Sequence, residues 1–285
     1  ELKPLGTLLG HIQPLLSIVF SSDSKLLASG GTDEAIRIWS VDQQTCQNIL
    51  KWNTGVSTVV AFSPDGKLIA GGDSKGYIRV APVNNPAIYK SVSTKNGAIV
   101  KMAFNPDNET FVSVSPELSN ITLWSVKDLE ALDILRGYSN LIYTIKVSPQ
   151  GNWLGAGGVD CSVLLWDLTK PPQTPPINLK GHSGYVTGIT FSQDGKTIAS
   201  SSSDNTIKLW DLATHKCWRT LFGHKKSIIS VVFSADSRFL ISGEEEGNLN
   251  LWSLINGKNL SSLPAHQGRI RNLIFSLDYK TLASG

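Results

Sequence analysis

Cysteine is scarce in this chain. Only Cys46, Cys161 and Cys217 occur, an odd number at wide spacing and with no Cys-x-x-Cys pair. Neither a disulfide framework nor a thiolate zinc site is expected, and reduced thiols in a cytoplasmic setting are the simplest reading. No apolar run approaches the roughly 18 residues of a membrane span, and no charged-then-apolar leader opens the sequence. Charge of one sign does not accumulate: 26 Lys and Arg, scattered along the chain, stand against 23 Asp and Glu. The net charge of +3 argues against nucleic acid or an acidic membrane as partner. There is no Gly-rich phosphate loop, no nucleophile elbow, and no His and carboxylate cluster outside one recurring pattern. The common sequence marks of an enzyme are therefore missing, and no metal or cofactor is expected. No stretch keeps a helical apolar period over three turns.

What the sequence does contain is repetition. A phenylalanine ends the first apolar run of each unit at Phe20, Phe62, Phe104, Phe191, Phe233 and Phe275, with Val147 in the fourth place. The steps are 42, 42, 43, 44, 42 and 42 residues, which makes seven units of nearly constant length. Inside a unit the period is that of strands. In unit five, Val186 to Phe191 alternates, Ser192-Gln193-Asp194-Gly195-Lys196 turns, and Thr197 to Ser201 forms a second strand. Ser203-Asp204-Asn205 turns again, and Ile207 to Leu212 and Cys217 to Leu221 are a third and a fourth strand. The turn residues are those that accept tight backbone geometry. One four-stranded antiparallel sheet cannot bury both faces, whereas seven packed radially can. The expectation is an all-β single domain over residues 1–285: a seven-bladed β-propeller.

Three units carry a further pattern counted from a Gly-His pair. A serine lies 18 residues after the histidine, an acid 22 after and a tryptophan 28 after. The sets are His11, Ser29, Asp33, Trp39; His182, Ser200, Asp204, Trp210; and His224, Ser242, Glu246, Trp252. Serine, histidine and acid together invite a catalytic reading, but a triad is needed once per active site, not three times in register. Gly10-His11 to Trp39-Ser40, Gly181-His182 to Trp210-Asp211, and Gly223-His224 to Trp252-Ser253 in phase, with Trp166-Asp167 closing unit four, resemble the WD40 (Trp-Asp) repeat family. That family is marked by the same Gly-His and Trp-Asp pairing in units of about 40–45 residues. The resemblance covers essentially the whole chain and implies strands lettered a to d outward from a central axis. It also implies that each set is a hydrogen-bonded scaffold within its blade. Unit four departs with Tyr138, Ala156, Asp160 and Trp166, and unit three keeps Ser113 and Trp124 but has Lys95 in the histidine place. Unit two, with Asn53, Gly71, Lys75 and Ala81, lacks the set altogether, so units two and three are expected to rely on apolar packing and strand ladders.

Unit seven stops in its second strand, so the last blade is incomplete. Leu5 to Leu9 match the outer strands of other units and, by the resemblance, would join that blade as a latch. The chain then reads as a fragment of a longer polypeptide. The resemblance also implies a protein or peptide partner on the top face, around the channel mouth. Carried onto this sequence, the face includes Leu16, Val56, Leu141, Tyr143, Val159, Tyr185, Ile229, Glu245, Arg269 and Arg271. The set is apolar for a solvent-facing ring, and Tyr and Arg are favoured at binding hot spots. The function expected is a non-catalytic interaction scaffold or sensor module of a larger regulatory or signalling protein, covalently attached to an effector domain. Asp-Gly-Lys turns such as Asp65-Gly66-Lys67 look similar to those of bacterial, especially cyanobacterial, propellers. The alternative is a substrate- or ligand-binding domain of an enzyme.

Overall fold

A computed structural model describes residues 5–52, 55–116, 120–138, 140–276, 278 and 280–285. Among them lie 26 strands and no helix. They form six four-stranded antiparallel sheets and one two-stranded sheet. Blade five shows how the sequence builds each one. Strand a (Val186–Phe191) pairs with b (Thr197–Ser202), b with c (Ile207–Asp211), and c with d (Lys216–Leu221). The a–b turn closes because Gly195 adopts φ +68°, where a side chain would be strained. Ser192 Oγ donates to Asp194 and accepts the Thr197 N–H at 2.9 Å, which holds the turn without tertiary support.

Burial follows position in the blade. Strand b of blade five is buried from Ile198 to Ser202, whereas strand d of blade six (Asn259–Pro264) is almost wholly exposed. An inner strand has neighbouring blades on both faces; an outer strand has solvent. Apolar clusters fill every junction between successive sheets. Ile189, Phe191 and Ile198 meet Val163, Leu165 and Leu179 between blades four and five. Leu209 and Leu221 meet Val231 and Leu240 between five and six. Each such side chain contributes about 1.5–3 kcal/mol when fully buried, which a lone sheet could not collect.

The inner strands follow one another around a closed ring: Leu15–Phe20, Ser57–Phe62, Lys101–Phe104, Ile142–Val147, Val186–Phe191, Ile228–Phe233 and Leu273–Phe275. The last belongs to the two-stranded sheet, which sits between blades six and one. There Asn272 Nδ2 donates to Leu16 O at 3.2 Å, and the Asp278 N–H donates to Ser24 Oγ at 3.1 Å. Blades one, five and six also staple to their neighbours: Ser17 Oγ accepts the Val60 N–H, Ser230 Oγ accepts the Leu273 N–H, and Thr187 Oγ1 donates to Ile228 O.

One expectation is met in part and another changes. Six blades are complete, which does not establish a count of seven; the remaining sheet, where an incomplete last blade was expected, consists of strand a and strand b (Leu282–Ser284). Residues 5–9 form no strand and do not join that sheet. The physical reason is the missing neighbour: a d strand has nothing to pair with where no strand c flanks strand b. The segment lies against blade one instead, where Gln44 Nε2 donates to Leu5 O at 3.3 Å. Leu8 packs near Phe20, Leu27 and Trp39, in a cluster that Ile274 and Ala283 of the seventh sheet also join.

Candidate partner-binding face and the networks beneath it

The three histidine sets are assembled as hydrogen-bonded columns. In blade five, Trp210 Nε1 donates to Ser200 Oγ at 2.8 Å, and His182 Nε2 lies 2.7 Å from the same oxygen. His182 Nδ1 lies 2.8 Å from Asp204 Oδ2. A neutral ring with its proton on Nδ1 satisfies every step: the serine hydroxyl donates to Nε2 and the ring N–H donates to the carboxylate. Burial pushes the His182 pKa down against the pull of Asp204, in keeping with that neutral ring. Burial also disfavours charge on Asp204, but hydrogen bonds from Thr206 and His182 outweigh it and hold the carboxyl at about 2. The Ser183 N–H and the Thr206 N–H and hydroxyl all donate to Asp204. Blade one repeats the column with His11, Ser29, Asp33 and Trp39, and Arg37 Nη1 donates to Asp33 at 2.6 Å. All of these groups are consumed by the scaffold.

Blade six corrects one assignment. His224 Nδ1 bonds Glu244 Oε2 at 2.7 Å, while Ser242 and Trp252 complete the column as expected. Glu246 is exposed and pairs with Lys226 at 3.0 Å. Glu244 ends strand b and is buried, so a carboxylate on a longer stem reaches the ring from two residues earlier than Asp33 or Asp204 does. Counting at a fixed spacing could not see this substitution of place.

Blade two also differs from expectation. Asp73 ends strand b, as Glu244 does in blade six, and accepts from Arg79 Nη1 at 2.9 Å. Both side chains are buried, at 5% and 4% exposure, so this is a buried ion pair and not a blade held by apolar contacts alone. Arg79 lies among aromatic rings, with its guanidinium carbon 4.9 Å from the Tyr77 centroid and 5.8 Å from Trp52. Gly71 replaces the serine, and a Cβ there would come within 2.5 Å of Trp52. The indole of Trp52 thus enters from the d–a loop, into space that a serine would close. Ala81, fully buried, stands in the tryptophan place. Asn53 lies outside the described residues. In blade three Trp124 Nε1 donates to Ser113 Oγ at 2.9 Å, half of the column. In blade four Trp166 Nε1 donates instead to Arg136 O, and Asn140 donates to Asp160. The seventh sheet holds a half-column that the spacing would have revealed: His266 Nε2 lies 2.7 Å from Ser284 Oγ.

The predicted face is shaped by a feature invisible in the residue pattern. Pairing between strands a and b slips at Leu15/Ser17, Ser57/Val59, Ile142/Thr144, Val186/Gly188 and Ile228/Ser230. The skipped residues are Leu16, Thr58, Tyr143, Thr187 and Ile229, three of them predicted site residues. A bulge leaves its extra residue outside the ladder and re-aims its side chain. Leu141, Tyr143 and Tyr185 are exposed, at 46%, 38% and 47%. The two tyrosine rings lie edge to face with centroids 6.1 Å apart, so blades four and five share one patch. Leu16, Val56, Val159 and Ile229 are half-buried. Arg269 is not free: its Nε donates to Glu245 Oε1 at 2.9 Å, tying the seventh sheet to blade six. Arg271 is exposed and its side chain pairs with no described residue. Among the described residues no group of His, Cys, Asp and Glu is placed to hold a metal. The three cysteines are free thiols. No helix is long and apolar enough to cross a membrane.

Repeated four-stranded blades around a closed ring, with a buried His-Ser-acid-Trp column in three of them, define a β-propeller of the Trp-Asp repeat class. The profile of the WD domain, G-beta repeat family matches residues 2–40, 44–80, 129–167, 173–211 and 215–253. The chain belongs to that family. Among curated proteins it is similar to ribosome biogenesis protein bop1 of Danio rerio, 38% identical over 63 residues. It is also similar to transducin beta-like protein 3 of Rattus norvegicus, 24% identical over 158 residues. The first match covers 20% of this chain and 8% of that protein; the second covers 55% and 15%. The chain therefore spans a small part of either relative's length.

Proposed function

We propose that this propeller is a protein-interaction scaffold that docks a partner segment over the channel mouth, anchored at Leu141, Tyr143 and Tyr185. One observation carries the reading: three large apolar side chains stand exposed on two adjacent blades, with the two tyrosine rings edge to face, while the polar groups resembling a triad are locked in the scaffold. A Tyr or Leu buried on docking is worth about 1.5–3 kcal/mol, tenfold or more in affinity. Val159, Val56, Leu16 and Ile229 would form the rest of the mouth. The Arg269–Glu245 pair lies at its rim, where it would set orientation more than affinity.

In the same reading the module is non-catalytic and cytoplasmic, serves a larger regulatory protein with an attached effector, and needs neither nucleic acid nor membrane. The two-stranded sheet is the inner half of a seventh blade, a view supported by its place in the ring and by the His266–Ser284 half-column. The test is a comparative capture. A protein retained by the wild-type propeller, then purified and titrated back, should bind Tyr143→Ala and Tyr185→Ala propellers at least tenfold more weakly. Unchanged affinity with folded variants would move the site to the side or bottom surface.

A further inference from the structure

The seven inner strands contain not one Asp or Glu, yet two of them carry lysines, Lys101 and Lys146. Arg271 leads into the seventh inner strand. Counted from the phenylalanine frame, Arg271 stands four residues before it, Lys101 three and Lys146 one, so the three backbone positions fall at different depths along the ring of inner strands. Their blades are not all neighbours. The seventh inner strand is separated from that of blade three by two blades in one direction and three in the other. The inner strands that carry Lys101 and Lys146 are in direct contact, and the seventh inner strand lies opposite them across the ring. In keeping with that placement, the charges of Lys146 and Arg271 act on Lys101.

Water reaches Lys146 and Arg271, and Lys101 is half-buried. None of the three makes an ion pair or side-chain hydrogen bond with any described residue. Where Ser17 and Ser230 bond to the next blade's backbone, blade three has the long stem of Lys101. Burial, and then Lys146 and Arg271, push the Lys101 pKa down to about 8. Like charges crowded in a partly desolvated channel without a counter-charge raise the energy of the empty site.

We propose that the central channel is a binding site for a compact multivalent oxyanion of the phosphate type, held by Lys101, Lys146 and Arg271. An anion carrying several charges on adjacent oxygens can meet cations arranged at three depths. The broad acidic surface of a folded protein cannot enter to that depth. This site is independent of the tyrosine patch, and either could exist without the other.

The probe is inorganic tripolyphosphate, titrated calorimetrically into the intact chain at fixed ionic strength, with inorganic phosphate and a short oligoglutamate in parallel. We expect saturable one-to-one binding of tripolyphosphate, weaker binding of phosphate, and a rise in melting temperature on addition. Lys101→Gln and Lys146→Gln should each weaken tripolyphosphate at least tenfold. Lys67→Gln, which removes an exposed cation paired with Asp65 in the a–b turn of blade two, should change it less than twofold. The lysine Nζ resonance of Lys101 should titrate higher with the anion bound. Absence of saturable binding, equal affinity in the lysine variants, or tighter binding of oligoglutamate than of tripolyphosphate would each overturn the proposal. If a lysine variant fails to fold, the Arg271→Gln propeller and the Lys101 resonance decide.

Discussion

Blades five and two occupy equivalent places in the ring and solve the same problem with different chemistry. Blade five holds its top edge with a neutral histidine between a buried serine and a carboxylate, capped by an indole from strand c. Blade two has glycine for the serine and alanine for the indole, and holds the same region with Asp73 and Arg79 beneath three aromatic rings. The repeat therefore does not require the histidine set. In both blades a carboxylate at the b–c corner faces a satisfied donor, and either of two residue places supplies the acid.

The sharpest way to break that equivalence is to strand a charge. Asp73→Ala should destabilise by about 3–5 kcal/mol, because it leaves the Arg79 guanidinium buried and unpaired. Replacing both together, Asp73→Ala with Arg79→Met, should recover most of the loss in a denaturant melt. A double variant no better than the single would show that the pair is not the blade's support. Next in size, Asp204→Ala should cost about 1–3 kcal/mol by orphaning His182 and the Ser183 and Thr206 donors.

Acid should separate the two blades. The pKa of His182 and that of His224 are lowered by burial. The unfolded chain therefore takes up protons that the folded one refuses, and stability falls as the pH drops below about 6.5. Asp204, at about 2 when folded against 3.8 as the ordinary value, adds about 2 kcal/mol of loss between pH 4 and 2. Hydrogen exchange at pH 5 should therefore rise first in strands b of blades five and six, Thr197–Ser202 and Phe239–Glu244. Strand b of blade two, Leu68–Asp73, has no histidine column beside it and should keep its protection. Uniform loss across all three strands would contradict the distinction. The smallest effect is expected at Lys75, which holds the place of Asp204 in blade two but is exposed. Lys75→Ala should stay within about 0.5 kcal/mol of wild type.

Much of this architecture could be read in advance because a 42-residue period and a two-residue alternation are both written in single residues. The frame of six phenylalanines and Val147 located every inner strand, and the columns of blades one and five fell at the counted positions. What escaped has physical reasons. A longer stem let Glu244 act from a different backbone place than the aspartates, so fixed spacing pointed to Glu246. The Asp73–Arg79 pair breaks the motif while preserving its chemistry, and motif matching sees only the loss. Bulges at Leu16, Tyr143 and Ile229 arise from strand pairing, which no single strand encodes. The N-terminal strand resembled other d strands in composition, but a strand exists only where another offers hydrogen bonds. The Arg269–Glu245 pair joins residues 24 apart on different sheets, so one of the two top-face arginines expected to be available already has a partner.

On the proposed reading, the top of the molecule divides into groups that hold it together and exposed groups that would dock a partner. The affinity of a captured partner for a folded propeller carrying both Tyr143→Ala and Tyr185→Ala tests that division most directly. Wild-type melting behaviour is expected, with binding weakened a hundredfold or more, mainly through faster dissociation. Wild-type affinity in the folded double variant would contradict the division.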